Sequence, residues 1–324
     1  MRWQNIETPT FAGSAGSAGE PAVVETMQLL DRDGNEVAAF TKAVDGTITN
    51  TVDGGPITPF IVVVGDDPAA NGQALLDAYA AAVASTPNGQ ALSETNRAVV
   101  VCPPALYEMP ATLVLASCYV DIVGLTDDVA SQVLVPSATA TDGAVQGHGD
   151  GDGAKFYNLT FRANGNDDIT GFTFSDPLAN SYFQNCVWVN ALPAYGMETA
   201  VEIGSTFVDC GGGNSSFGGI GGTFSGTATN CTGGDDSFGS SGTFSGTATN
   251  CTGGSNAFGG GGGGTFNGTA TNCTGGDNSF GGGGGTFSGT ATNCTGGDRS
   301  FGGDGGTFNG TATNCTGGDN SFGG

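Results

Sequence analysis

The sequence predicts an all-β solenoid: a column of stacked coils of about 21 residues, entered through a short capping helix and a small β module. Three observations carry that prediction. The ten letters that begin at Gly226, "GTATNCTGGD", return nearly unchanged at Gly246, Gly268, Gly289 and Gly310. Upstream, short apolar runs such as "AKFYNLTFRAN" and "SYFQNCVWVNA" follow one another with no helical spacing between them. Glycine reaches 61 residues, mostly after residue 210, and its strict period argues for a repeat architecture rather than disorder.

Taken in order, residues 1–20 are rich in Gly, Ala and Ser and read as a flexible arm. Residues 21–56 carry the turn signals Asp33-Gly34 and Asp45-Gly46 between short β runs, which predicts a small β-hairpin module suited to attachment. Residues 57–210 open with the buried-type strand "PFIVVVGDD". Asp67-Pro68 then supplies an N-cap with proline at the first helical position, and Leu75, Leu76, Tyr79, Ala82 and Val83 keep a helical spacing. "RAVVVCPPALYEMPATLVLASCYVDIVGL" returns the chain to β structure as the first irregular coils. Residues 211–324 are the regular glycine-rich coils.

The order of strand, amphipathic helix and "VVVCPPALYEMPATLVLASCYVDIVG" resembles the N-terminal cap and first coils of pectin-lyase-like proteins. "FYNLTFRAN" and "YFQNCVWVNA" are similar to the strand-plus-asparagine pattern of that superfamily's coils. The resemblance spans roughly residues 57–324 and implies a right-handed parallel β-helix. It says little of activity, because one fold hosts many functions.

Within a coil, "TFSGTAT" alternates, which places Phe224, Gly226 and Ala228 inside and Thr223, Ser225, Thr227 and Thr229 outside. A second phenylalanine follows each turn, at Phe238, Phe258, Phe280, Phe301 and Phe322. Burying two phenylalanines contributes roughly 3–6 kcal/mol, whereas ordering 21 residues costs on the order of 20–40 kcal/mol. One coil therefore cannot stand alone, and stacking into rows of Phe, Cys and Asn is the way out. Asn230, Asn250, Asn272, Asn293 and Asn314 recur because stacked amides can link coil to coil.

Formal net charge is −24, with only seven Lys plus Arg, a balance that repels phosphate backbones and excludes a nucleic-acid partner. No apolar run is long enough for a membrane span. Cys231, Cys251, Cys273, Cys294 and Cys315 recur 20 to 22 residues apart without CxxC pairs, so they read as stacked buried thiols rather than a zinc site or disulfides. The candidate catalytic groups are Asp127, Asp128 and His148. A DD pair followed one coil later by "GHG" resembles the carboxylate and histidine constellation of polygalacturonase-type enzymes, though no "NTD" or "RxK" accompanies it. Asp235, Asp277, Asp298 and Asp319 form a turn row whose mutual repulsion calcium would relieve; no other cofactor is expected.

The paired threonines Thr227/Thr229, Thr247/Thr249, Thr269/Thr271, Thr290/Thr292 and Thr311/Thr313 form an outward T-x-T array that resembles those of ice-binding β-solenoids. Threonine is also simply a good outward β residue. The leading expectation is a non-catalytic structural or adhesive fibre, similar in style to phage tail fibres and tail spikes, located in a virion or outside the cell. Its expected partners are further copies of itself, commonly as a homotrimer, and a cell-surface glycan or receptor. An ice- or surface-binding solenoid is the alternative, and a polysaccharide-degrading enzyme the third reading. The start lacks the apolar core of a secretory signal, and the stop inside a repeat at "GGDNSFGG" predicts a truncated rod.

Overall fold

The computed structural model describes residues 2–6, 23–30, 36–43, 48–52, 58–126, 128–137, 144–147, 153–162, 172–174, 178–189 and 202–323. Strands β1 (Arg2–Ile6), β2 (Val23–Leu30), β3 (Glu36–Ala43) and β4 (Ile48–Val52) form an antiparallel sheet in that order. The expected flexible arm is corrected at its beginning: Arg2–Ile6 is a strand in register with Thr26–Leu30, which gives its backbone groups hydrogen-bond partners. Residues 7–20 of that arm lie outside the described residues.

β5 (Thr58–Ile61) begins the column, and α1 (Pro68–Val83) follows it. The Asp67 carboxylate accepts from the N–H groups of Ala69 and Ala70, at 3.0 and 3.4 Å, and so caps the helix. Leu75, Tyr79 and Ala82 form the buried stripe of α1, as their spacing predicts. Asn71 fixes the docking: its amide accepts from Gly65 N at 2.8 Å and donates to Leu106 O at 3.2 Å. At Gly72 a Cβ would lie 2.1 Å from Glu108 O, so only glycine lets helix and strand approach this closely.

From β6 (Ala98–Cys102) onward the strands pair in parallel. β7 (Ala105–Met109) and β8 (Leu113–Val114) start two further sheets, and β9 (Val120–Gly124) returns to the first. The first sheet runs β5, β6, β9, Lys155–Tyr157, Leu178–Gln184 and Glu202–Val208, then continues through Thr223–Phe224 and its four repeats to Thr307–Phe308. Beside it, Thr227–Thr229 pairs in register with Thr247–Thr249, Thr269–Thr271, Thr290–Thr292 and Thr311–Thr313. The right-handed parallel β-helix expected from the sequence is the observed fold.

Phe224, Gly226 and Ala228 face inward, as the alternation predicts. The rings stack in two rows. Phe244, Phe266, Phe287 and Phe308 follow one another at 5.0–5.1 Å, and Phe217, Phe238, Phe258, Phe280, Phe301 and Phe322 at 4.7–4.8 Å. Within each coil the rings meet edge to face, as Phe266 and Phe280 do at 5.7 Å and 72°. Every phenylalanine of the second row has φ between 50° and 62°, a left-handed conformation that bulky residues avoid. That conformation costs about 1–2 kcal/mol. Burial contributes about 1.5–3 kcal/mol and ring stacking about 0.5–1.5 kcal/mol more, so packing wins.

Candidate functional site

The outward side of the repeat coils is built from threonine. Thr227, Thr247, Thr269, Thr290 and Thr311 are exposed; Thr229, Thr249, Thr271 and Thr292 are half-buried, and Thr313 is exposed. Because each T-A-T strand is in register with the next, the hydroxyl-bearing positions form two straight columns over an alanine column that is buried up to Ala291. The glycine before each T-A-T holds the strand close to its neighbour: a Cβ on Gly268 would lie 2.3 Å from Gly246 O. A third column went unread in the sequence. Thr232, Thr252, Thr274, Thr295 and Thr316 are exposed and joined by single parallel bridges. Its signal was the "NCT" triplet, whose asparagine turns the chain between the two faces.

That asparagine sits at a corner in left-handed conformation, with φ of 52–54° from Asn230 to Asn314. Each amide Nδ2 donates to the Oδ1 one coil below: Asn250 to Asn230, Asn272 to Asn250 and Asn293 to Asn272 at 3.1 Å, and Asn314 to Asn293 at 3.3 Å. The row reaches below the repeats, through Asn230 to Asp209 at 2.8 Å and Asn185 to Asn158 at 3.0 Å. Asn250, Asn272, Asn293 and Asn314 are exposed, so this is a surface seam rather than an internal one.

The thiol row also runs further than the repeats. Cys186 and Cys210 stand below Cys231, and all nine cysteines are free. Their signal was the pairing of Asn or Asp with Cys at 185–186 and 209–210, in coils otherwise unlike the repeat. Contact with the thiol one coil below, then burial, pushes Cys231, Cys251 and Cys273 up to about 12. These groups are packed and protonated at neutral pH.

The acidic candidates are occupied with backbone. Asp235, Asp277 and Asp298 each accept, through Oδ1, the N–H of the next coil's Ser255, Asp298 and Asp319, at 2.8, 2.9 and 2.8 Å. All four row aspartates are exposed. Among the described residues, no group of three or more His, Cys, Asp or Glu is arranged to hold a metal ion. Asp128 caps a short turn, accepting from Ala130 N at 3.2 Å and Ser131 Oγ at 2.7 Å. Asp127 and His148 lie outside the described residues, so the constellation is not assembled from what is described.

Among the described residues, one ion pair is largely shielded from solvent. Arg97 donates through Nε to Asp121 at 2.9 Å and through Nη2 to the same carboxylate, to Cys118 O at 2.7 Å and to Gly153 O at 3.1 Å. Asp121 also accepts from Lys155 N at 3.1 Å. Burial lifts the Asp121 carboxyl above its usual range, with Arg97 working against it. With Nε and Nη2 spent on neighbouring coils, the pair is a fastening between levels.

Among the described residues, no helix is long and apolar enough to cross a membrane. No protein-family model matches the chain, and neither does any curated protein. Among solved structures it is similar to ORF18 of Geobacillus virus E2, at 12% identity and a TM-score of 0.50 over 94% of this chain and 70% of that one. It also overlaps a pectin methylesterase from carrot, at 11% identity and a TM-score of 0.37 over 73% and 77%, too loosely to bear on activity. The chain is a parallel β-helix whose fold is shared with a viral protein.

Proposed function

We propose that this chain forms the rod of a non-catalytic fibre, of the virion tail-fibre or tail-spike kind. The observation that carries the reading is the unbroken first sheet: eleven levels from Thr58–Ile61 to Thr307–Phe308, a column about 50 Å tall. Its regular part presents short polar side chains outward, and most of the acids described there are tied up within the column: Asp235, Asp277 and Asp298 with backbone N–H groups, Asp236 with Ser240 and Asn256, and Asp304 with Arg299. A viral protein built on the same fold fits the reading. The test is to purify virus particles or envelope fractions from the producing cells and image them by cryo-electron microscopy, with antibody labelling of the chain. Labelled projections of slender density are the expected result. Recovery of the chain only among free cytosolic proteins overturns the reading.

The exposed threonine columns favour a second reading, binding to a periodic solid such as ice. The two columns over five coils cover roughly 200–300 Å², well below the ~800 Å² per partner of a stable protein interface. Such a face would work against a lattice, not against a single protein. Thermal hysteresis at micromolar protein, abolished by Thr269→Tyr with Thr271→Tyr, is the expected outcome; unshaped ice growth ends the reading.

A further inference from the structure

We infer that the thiol row is a binding site for soft two-coordinate cations of the copper(I) and silver(I) class, held one between each successive pair of sulfurs. The row has seven members: Cys186, Cys210, Cys231, Cys251, Cys273, Cys294 and Cys315. Each Sγ lies 3.3–3.5 Å from the carbonyl oxygen two residues before it, so all seven side chains take the same direction. Identical side chains on in-register coils repeat at the rise of the column, which the neighbouring phenylalanine row measures as 4.7–4.8 Å. A disulfide needs sulfurs about 2.05 Å apart, less than half that distance. An ion midway between two sulfurs would instead sit about 2.4 Å from each, close to the ~2.3 Å of a zinc–thiolate bond.

Charge and softness select the ion. Thiolate sulfur prefers copper(I)-like cations. Each bound ion displaces one thiol proton to solvent: one S–H bond breaks, two sulfur–metal bonds form, one from the new thiolate and one from a lone pair of the neighbouring sulfur, and no oxidation state changes. One monovalent ion per lost proton leaves the buried row neutral with every gap filled, whereas divalent ions in all six gaps would need twelve lost protons from seven thiols, and a bare thiolate leaves a buried charge. Two sulfurs suffice for linear coordination, so the lack of larger ligand clusters is no obstacle.

The test is an anaerobic titration of the full reduced chain with silver(I), and separately with copper(I) held in acetonitrile. Bound metal is counted after gel filtration, with proton release, near-ultraviolet thiolate–metal absorption and far-ultraviolet circular dichroism followed together. Seven sulfurs enclose six gaps, so about six ions and about one proton per ion are expected, with the β signal unchanged. Cys273→Ala removes the two gaps beside it and lowers the count to about four; Cys231→Ala does the same should the first variant fail to fold. Cys102→Ser with Cys118→Ser, off the row, leaves the count at six. Fewer than two ions per chain, a count indifferent to Cys273→Ala and Cys231→Ala, or saturation only with loss of the β signal overturns the inference.

Discussion

The first coils and the repeat coils share one parallel sheet but are held together differently. In the first coils, β6 and β9 are buried on both faces. Ala98, Val100, Cys102, Val120 and Ile122 enter the main core, while Val99, Val101 and Val123, at 8%, 3% and 6% exposure, form a separate apolar cluster with Ile61, Leu125 and Tyr157. In the repeats the corresponding outward positions are threonine. Spacing differs too. Bonds between successive levels join residues 34 and 27 apart in the lower coils, and 20 to 22 apart above. The lower coils use branched aliphatic packing that tolerates variety. The upper ones use identical rows, which demand repetition.

The change occurs across one level. Phe207 stacks on Phe183 at 5.0 Å, yet its partner in register above is Ala228, and it meets Phe224 only at 6.1 Å and 39°. Beside it, Trp188 touches Phe217 edge to face at 5.9 Å, and its indole N–H is buried with no hydrogen-bond partner. The join between two packing schemes leaves an orphaned donor, which elsewhere costs about 1–3 kcal/mol.

Four measurements sharpen or break this contrast. The largest effect is alkaline. The thiols of Cys231, Cys251 and Cys273 are raised to about 12 in the folded chain, against about 8.5 when unfolded. Their stabilisation is whole below the unfolded value and is lost as pH rises towards 12. At pH 10 each thiol forfeits about 2 kcal/mol. Urea midpoints at pH 8 and pH 10 should fall steeply for the repeats, and an unchanged midpoint would contradict a buried thiol row.

Next, Gly268→Val should cost at least about 4 kcal/mol, because its Cβ would meet Gly246 O at 2.3 Å and the stacked Phe244 ring at 2.6 Å, neither of which is free to move aside. Gly262→Ala, in the corner of the preceding coil with nothing within 4 Å, should stay within about 0.5 kcal/mol. Chemical denaturation of the pair separates row glycines from corner glycines. Third, Phe258→Ala should cost about 3–5 kcal/mol by the same measurement, whereas Trp188→Phe at the join should cost under about 1 kcal/mol, since it also removes the orphaned donor. A larger loss at Trp188 would mean that the indole N–H is satisfied. Smallest is the seam: Asn272→Ala should cost about 1–2 kcal/mol. Asn272→Gly, which keeps the left-handed corner without strain, should cost visibly less; equal losses would assign the whole effect to the amide.

The repeat made most of the fold legible. Alternation in "TFSGTAT" gave the inward and outward faces, and Asp67-Pro68 gave the start of the helix. The candidate face was half legible: the T-x-T columns were visible, but Thr232 and its equivalents were not, because a turn at Asn230 separates them from the alternating run. The reach of the cysteine row to Cys186 and Cys210 was hidden by coils of unequal length, where a single period fails. Left-handed phenylalanines could not be foreseen, since local preference argues against them and only stacking overrides it. Arg2–Ile6 was hidden by the small residues that follow it.

Consider finally where the repeats differ in length. The extra residues fall in the glycine stretch between Phe258 and Thr265, whereas every T-A-T strand keeps its register. A gene that gained or lost one such unit through replication slippage would still present matching surfaces above and below the change. Reach would then vary in steps of about 4.8 Å per copy, and related lineages could differ in span while conserving every contact between neighbours.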